Sequence, residues 1–274
     1  MAIGISIGRC GLSSGFTRTD AITLVGVVLL LGALVWGGIL VAGEKRRIWV
    51  CAHHLKTLGR AFTEYAQDHK ATLPPAAFDD GQTSTSWDRE IAVYLEPELA
   101  KQNSPEQQTA LEAKVAPVFK CPSDPGPRGN SLPRSYSMPV YDINRAGWPP
   151  DENSLGGLGL YLDAKTLQKA RETMVLGSSN SIPSIKISMV PDPADTALLV
   201  ERISSGNALW HPRYASVAST REQFTATTIQ SNNFHGGKMN YLMLDGHVEL
   251  LWPVQSGGHT GSGNAGVWTI RPGD

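Results

Sequence analysis

The chain has 274 residues, and its 24 Lys and Arg residues nearly balance its 25 Asp and Glu residues. This even charge argues against a nucleic-acid-binding protein, which would carry a basic surface. The 28 Gly and 18 Pro residues predict many turns and loops, and roughly 230 residues beyond the N-terminal region are enough for a packed core.

An uncharged apolar run follows a short polar leader. The run extends from Ala21 to Ala42 and contains no Asp, Glu, Lys, Arg or His. As a helix it would rise about 33 Å, enough to cross a hydrocarbon core of roughly 30 Å. A secretory signal peptide places its apolar region before the cleavage site, whereas here the apolar run follows the small residues that end at Gly15. Cleavage at Gly15 would therefore leave the anchor on the mature chain.

An apolar stripe continues beyond this run at steps of three and four residues, the spacing of one helix face. It consists of Ile48, Cys51, Leu55, Leu58, Phe62 and Tyr65. Nothing breaks the pattern before Pro74-Pro75, so the sequence predicts one helix from about Asp20 to His69. The second half of this helix needs a folded domain to cover its stripe.

The rest of the chain predicts a mixture of helices and strands. Helices are expected over Trp87–Leu95, from Ser104-Pro105 with a capping box to Gln107, and over Tyr161–Met174. A buried strand is expected over Thr196–Glu201, and an edge strand over Val267–Ile270. A hairpin is expected from the strands Asn240–Leu244 and His247–Leu251, joined by a type I′ turn at Asp245-Gly246. Residues 121–159 are expected to form an ordered loop region.

Three cysteines bear on the compartment of the domain. Cys10 precedes the apolar run, whereas Cys51 and Cys121 follow it. If the leader is removed, these two remain on one side of the membrane, where an oxidising compartment would favour a disulfide between them. Two separate buried thiols are the alternative. No C-x-x-C occurs, which argues against a zinc knuckle.

The N-terminal segment resembles the prepilin-type cleavage and methylation segment of type IV pilins and type II secretion pseudopilins. The resemblance rests on Gly15-Phe16-Thr17, on Asp20 and on the apolar helix that follows. It implies that a prepilin peptidase cuts after Gly15 and methylates Phe16. It also implies that Asp20, the fifth mature residue, helps the subunit to assemble with other pilin-like subunits, of the same or of different kinds.

Three further segments resemble a large bacterial family of prepilin-like proteins. They are Cys51-Ala52-His53-His54-Leu55-Lys56-Thr57-Leu58-Gly59, Phe119-Lys120-Cys121-Pro122-Ser123-Asp124, and His235 followed after nine residues by Asp245-Gly246-His247-Val248. They are similar to the family's C-x-N-L-K-x-L-G stretch, its F-x-C-P-S-D segment and its C-terminal signature of His, nine residues and Asp-Gly. Their order and spacing are those of the family.

The chain departs from the family pattern near the membrane. Arg18 and Thr19 stand where the family usually has Leu and an aliphatic residue, and Asp20 stands where it usually has Glu. The basic cluster Lys45-Arg46-Arg47 after the span would by itself favour the reverse orientation, but the pilin-like order of elements is given greater weight. A local interpretation of Asp20 also remains open, since an acidic residue caps a helix N-terminus well.

A metal site is a weaker hypothesis from the C-terminal signature. His235, Asp245 and His247 offer two imidazoles and one carboxylate, which suit zinc or iron. A structural interpretation is favoured, because Asp245-Gly246 is explained as a turn. The sequence contains no G-x-S-x-G, no H-E-x-x-H and no P-loop. We therefore expect no enzyme activity and no cofactor.

Together these patterns predict an α+β protein in which a long N-terminal helix packs on a domain with an antiparallel sheet and long loops. Residues 1–15 would be the leader, 16–72 the transmembrane helix with its amphipathic continuation, and 73–274 the domain. The expected function is that of a pilin-like structural subunit, anchored in the inner membrane by one span with its domain outside the cytoplasm. The alternatives are an anchored binding protein that does not polymerise and an anchored metal-dependent hydrolase.

Overall fold

The computed structural model describes most of the chain beyond the leader: residues 17–100, 104–125, 128–146, 148, 150, 156–173, 183–217, 234–257 and 266–271. Gly15, Phe16 and Cys10, which carry the leader predictions, lie outside the described residues. The chain divides into two compact units, Met1–Glu44 and Lys45–Asp274. The amphipathic part of the first helix therefore belongs to the same unit as the C-terminal domain.

The first helix, α1, extends from Arg18 to Asp68 and confirms the long helix predicted from the apolar pattern. Within the second unit its apolar stripe is buried from Cys51 to Tyr65, and Ile48 is half-buried. The helix ends before Pro74-Pro75, because Lys70 and Ala71 adopt positive φ angles of 55° and 58°. Such left-handed residues close a helix C-terminus by reversing the chain direction.

The remaining elements are five helices and eight short strands among the described residues. The helices are α2 (Trp87–Leu95), α3 (Pro97–Ala100), α4 (Pro105–Phe119), α5 (Ile143–Ala146) and α6 (Ala164–Thr173). The strands are β1 (Ala77–Asp79), β2 (Ser84–Ser86), β3 (Tyr136–Tyr141), β4 (Gly159–Asp163), β5 (Ala197–Glu201), β6 (Ser216–Val217), β7 (Met239–Met243) and β8 (Val248–Leu251). Single turns of 3₁₀ helix occur at Ile187–Met189, His235–Gly237 and Gly266–Trp268.

The strands form one sheet in the order β2-β1-β4-β3-β5-β7-β8, with β6 paired to β3. The pairs β1/β4, β3/β4 and β3/β6 are parallel, and the other pairs are antiparallel. The predicted α+β fold is confirmed, and its sheet is mixed rather than purely antiparallel. The connection from β3 to β4 includes α5, because a parallel pair needs a crossover longer than a hairpin turn.

The helices α2 and α4 confirm the sequence predictions. Helix α2 has the predicted bounds. Helix α4 begins with the predicted capping box: the Ser104 hydroxyl accepts a hydrogen bond from the Gln107 amide at 3.3 Å, and the Gln107 side-chain oxygen accepts one from the Ser104 amide at 3.4 Å. Strand β5 likewise confirms the strand predicted over Thr196–Glu201.

The helix predicted over Tyr161–Met174 was wrong at its beginning, because residues 161–163 belong to β4 and α6 follows. Leu160 and Leu162 are buried in β4, which lies between β1 and β3 in the sheet. A reciprocal pair of hydrogen bonds then starts α6. The Asp163 carboxylate accepts a hydrogen bond from the Thr166 amide at 2.7 Å, and the Thr166 hydroxyl accepts one from the Asp163 amide at 2.8 Å. Pairing with the neighbouring strands thus makes residues 161–163 part of β4, and the reciprocal cap determines where α6 begins.

Two other predictions were wrong about regular structure. The region 121–159 contains β3 and α5 rather than loop alone. Pro139 lies within β3, and a proline normally argues against a strand because it lacks an N–H donor. The tail forms the turn Gly266–Trp268 instead of an edge strand, since Trp268 and Ile270 are buried in the core.

The β7–β8 hairpin confirms the predicted pair of strands but not the predicted turn. Gly246 has a φ of 93°, whereas Asp245 has no positive φ, which a type I′ turn would require. The Gly246 amide donates to the Met243 carbonyl at 2.9 Å, and the Met243 amide donates to the His247 carbonyl at 2.9 Å. This is a three-residue loop that ends in a left-handed glycine.

Candidate functional site

The predicted assembly residue Asp20 lies in the first turn of α1, where it takes part in a local cap. Its Oδ2 accepts the Thr17 amide at 2.9 Å and the Thr17 hydroxyl at 2.7 Å. In return, the Asp20 amide donates a hydrogen bond to the Thr17 hydroxyl at 3.3 Å. Both residues are exposed. The capping interpretation of Asp20 is therefore confirmed, and its assembly role stays a prediction.

The apolar part of α1 is exposed in the part of the chain that the structure describes. From Ile22 to Ile39 every large apolar side chain is at least 52% exposed. Among the described residues, α1 is the helix that is long and apolar enough to span a membrane. Isolated apolar side chains on a surface are normal, but a continuous apolar surface of this size indicates a lipid or protein partner. The chain can thus be anchored by a single N-terminal helix.

The structure confirms the predicted disulfide. Cys51 on α1 is bonded to Cys121, which follows α4, and the two Cα atoms are 5.1 Å apart. Both cysteines are completely buried. The bond joins the amphipathic part of α1 to the domain at a sequence separation of 70 residues.

Polar side chains behind the disulfide explain the Cys-Pro-Ser-Asp segment. The Ser135 hydroxyl accepts the Cys121 amide at 3.0 Å and donates to Asp124 Oδ2 at 2.7 Å. Arg128 Nη2 forms a buried ion pair with the same carboxylate at 2.7 Å. Because a buried carboxylate is costly without partners, this network fixes the loop that carries Cys121. The segment is therefore a structural support for the disulfide.

The signature residue His235 lies beside the disulfide. Its Nε2 is 3.3 Å from Cys121 Sγ and 3.2 Å from Glu201 Oε1. Glu201 ends β5 and is completely buried. Asn240 on β7 donates its backbone amide to Glu201 Oε2 at 2.7 Å and its side-chain amide to Oε1 at 3.0 Å. The carboxylate is thus held toward the imidazole by the neighbouring strand.

Four metal-ligand side chains meet at this point. One potential ligand atom from each of Cys51, Cys121, Glu201 and His235 lies within 4.8 Å of every other one, and all four residues are buried. We refer to these four residues as the cysteine–histidine cluster. A pair of cysteines, one imidazole and one carboxylate are ligand types that zinc accepts.

The structure does not bring His235 together with the other predicted metal candidates. His235 precedes β7, whereas Asp245 and His247 follow it, and the five-residue strand spans about 13 Å. Asp245 Oδ1 lies 2.6 Å from His247 Nδ1 in the exposed hairpin loop. Partial burial opposes protonation of His247, but its hydrogen bonds to Asp245 and Glu249 raise its pKa above the ordinary value. This pair stabilises the turn.

Sequence reasoning missed Glu201 and Asn240 as partners of His235. The available signal was weak: Glu201 is a single charged residue directly after the apolar residues Ala197–Val200. Burial of a carboxylate at the end of such a strand requires a partner, but the sequence does not say which residue supplies it.

A second buried ion pair, also missed, holds the segment at Trp210–Arg213. Arg134 Nη1 lies 2.6 Å from Asp88 Oδ1, and both side chains are fully buried. Asp88 Oδ2 accepts the Trp210 amide at 2.6 Å, and Arg134 Nη2 donates to the His211 carbonyl at 3.0 Å. Burial lowers the pKa of Arg134, whereas the charge of Asp88 raises it. The buried pair therefore anchors the backbone of Trp210 and His211, although the His211 and Arg213 side chains are exposed.

The chain is similar to one known family. Residues 44–164 match the family model described as "Protein of unknown function (DUF1559)". The match covers less than half of the chain. It includes both cysteines of the disulfide and agrees with the resemblance to prepilin-like bacterial proteins, while the C-terminal His, nine residues and Asp-Gly signature lies beyond it. No curated protein and no solved structure matches the chain.

Proposed function

We propose that this protein is a pilin-like structural subunit that assembles through its N-terminal helix into a filament or a secretion-associated pseudopilus. The observation that carries the proposal is the composition of α1. Its N-terminal part presents apolar side chains that are at least 52% exposed from Ile22 to Ile39, whereas its C-terminal part has a stripe buried in the domain. One helix thus combines a membrane or assembly surface with the attachment of a folded domain.

The disulfide supports a domain that lies outside the cytoplasm. Disulfides persist in oxidising compartments and are rare in the reducing cytoplasm. Cys51 lies only nine residues after Ala42, the end of the apolar run. The proposed location is therefore the inner membrane, with a single span and a periplasmic domain.

Asp20 is compatible with both capping and assembly. Its two observed side-chain hydrogen bonds both go to Oδ2, and a carboxylate has about four acceptor sites. In the proposed assembly, the carboxylate also accepts a charge-assisted hydrogen bond from the N-terminal amine of a neighbouring subunit. Such a bond is strong where water is scarce. The proposed partners are a prepilin peptidase, other pilin-like subunits and the bilayer, and the proposed role is structural rather than catalytic.

The first test is the mass of the intact protein after extraction from membranes. The proposal expects a mature chain that begins at Phe16, with a methyl group on the new amine. A chain that retains Met1 in cells with an active prepilin peptidase would contradict it. The variant Gly15→Leu serves as a control, since it should block cleavage without changing the span.

The second test separates assembly from capping. A photo-cross-linking amino acid at Leu31, which is 55% exposed, would report contacts between helices in the membrane. Asp20→Asn removes the charge but keeps an acceptor for Thr17, whereas Thr17→Ala removes the threonine side of the cap and keeps the carboxylate. The proposal expects cross-linked oligomers to be lost in Asp20→Asn and kept in Thr17→Ala. Loss in both variants, or in neither, would contradict an assembly role for the charge.

A further inference from the structure

We propose that reduction of the Cys51–Cys121 disulfide converts the cysteine–histidine cluster into a four-ligand zinc site. The cluster contains two cysteines, one histidine and one glutamate, and all four residues are buried. The proposal does not depend on the assembly function, because its ligands all belong to the domain unit.

Two distances within the cluster, those from His235 Nε2 to Cys121 Sγ and to Glu201 Oε1, are close to the edges of a tetrahedral zinc site. With Zn–S bonds of about 2.3 Å and Zn–N or Zn–O bonds of about 2.05 Å, a tetrahedron has S–N edges of about 3.6 Å and N–O edges of about 3.3 Å. The corresponding observed distances are 3.3 Å from Cys121 Sγ to His235 Nε2 and 3.2 Å from His235 Nε2 to Glu201 Oε1. The largest required change is the separation of the two bonded sulfurs to about 3.8 Å, the S–S edge of the same tetrahedron.

The surroundings hold two of the ligands in place. Asn240 donates two hydrogen bonds to Glu201, and the neighbouring Ser135 hydroxyl anchors the Cys121 amide. Partners of this kind orient metal ligands and increase metal affinity. A preformed pair of His and Glu leaves only the thiols to rearrange when the disulfide opens.

The redox step balances with a dithiol as the reductant. The dithiol gives two electrons and two protons to the disulfide, the S–S bond breaks, and the reductant itself becomes a disulfide. Zinc then binds two thiolates, and the two thiol protons leave to solvent. In the zinc-bound state His235 coordinates through Nε2 as a neutral imidazole that carries its proton on Nδ1. Glu201 Oε1 occupies the fourth position.

The experiment uses the full chain in detergent, with Cys10→Ser in every sample so that only the two domain cysteines are present. The reduced protein is prepared by treating the detergent-solubilised chain with a phosphine, which reduces the disulfide to two thiols and takes its oxygen atom from water. Zinc content after gel filtration and the spectrum with Co²⁺ are measured for the reduced and the oxidised chain. The proposal expects about one zinc per reduced chain, a thiolate-to-cobalt charge-transfer band with tetrahedral d–d bands, and no zinc on the oxidised chain.

Two variants test the ligand set. Glu201→Gln and His235→Asn should each weaken zinc binding to the reduced chain by at least about tenfold. His247→Gln is the matched control, because His247 lies in the exposed hairpin, and it should bind zinc like the unmodified chain. Equal affinity in all three variants would overturn the proposal, as would equal zinc on the oxidised chain.

Zinc-edge X-ray absorption on the unmodified chain keeps the proposal testable if a variant fails to fold. Two sulfur and two nitrogen or oxygen ligands are expected. A shell with other ligand numbers would overturn the proposal. A reduced chain that loses its circular dichroism and does not recover it with zinc would overturn it as well.

Discussion

Removing the disulfide is the perturbation whose effect on the stability of the domain follows most directly from the structure. The double variant Cys51→Ala/Cys121→Ala takes away the bond but introduces no new polar atom into the buried site. The two cysteines are separated by 70 residues in the sequence. Without the bond, the unfolded chain gains the freedom of this whole loop.

The size of the effect can be worked out from the loop length. In the chain-entropy treatment a closed loop of roughly 70 residues stabilises the folded state by about 4.4 kcal/mol at 25 °C. Native disulfides typically contribute about 2–5 kcal/mol when measured. A domain with a free energy of unfolding of about 5–15 kcal/mol would therefore lose a large part of its stability but need not unfold.

Tryptophan fluorescence during urea unfolding of the full chain in detergent provides the assay. Trp87 and Trp268 are buried in the domain and therefore report on its unfolding, whereas Trp36 lies exposed in the apolar part of α1. A chelator is added to exclude metal effects. We expect the free energy of unfolding to fall by about 3–5 kcal/mol and the urea dependence to steepen, because the unfolded chain is less compact without the cross-link.

The single variants Cys51→Ala and Cys121→Ala serve as controls. Each also abolishes the disulfide, so each should lose nearly as much stability as the double variant. A loss below about 1 kcal/mol in the double variant would refute the reasoning from loop entropy. It would mean that the buried packing of α1 against the domain, rather than the cross-link, holds the helix in place.

Three further perturbations test the interior. Arg134→Met leaves Asp88 buried without its charged partner, so the free energy of unfolding should fall by about 3–5 kcal/mol in urea titrations. Gly59→Val should cost about 1–3 kcal/mol, because a Cβ at this position would lie 3.1 Å from Leu242 Cδ1, and thermal melting would show it. Burial lowers the pKa of His54, although its hydrogen bond to a backbone carbonyl opposes this. Around and below pH 6.5 the unfolded state therefore binds more protons than the folded state. The free energy of unfolding, measured against pH, should fall as the pH decreases from 6.5 toward the lower pKa of the folded state.

Each of these predictions has a control. Asp88→Asn added to Arg134→Met should restore part of the loss, and strict additivity of the two variants would contradict a coupled pair. Leu242→Ala should relieve part of the strain of Gly59→Val, and independence of the two would rule out the close contact as its cause. His54→Gln should flatten the pH dependence below 6.5, and an unchanged slope would assign that dependence to other groups.

Local patterns in the sequence predicted the elements that depend on local physics. The apolar periodicity of α1 and the capping box of α4 each arise within one or two helical turns, and both were confirmed. The apolar residues of β5 also predicted a buried strand. Where a strand depends on distant neighbours, as in β3 with its Pro139 and in β4, local patterns predicted a loop or a helix instead.

The sequence by itself determined that an exposed apolar helix continues into an amphipathic one, because charge and periodicity are local properties of the chain. It also determined that a disulfide within the domain could join only Cys51 and Cys121, because Cys10 precedes the apolar run. Only the tertiary structure decided that His235 and Glu201 lie beside this disulfide, 3.2 Å from each other. Glu201 is 34 residues from His235 in the chain, and the antiparallel pairing of β5 with β7 is what brings the two together.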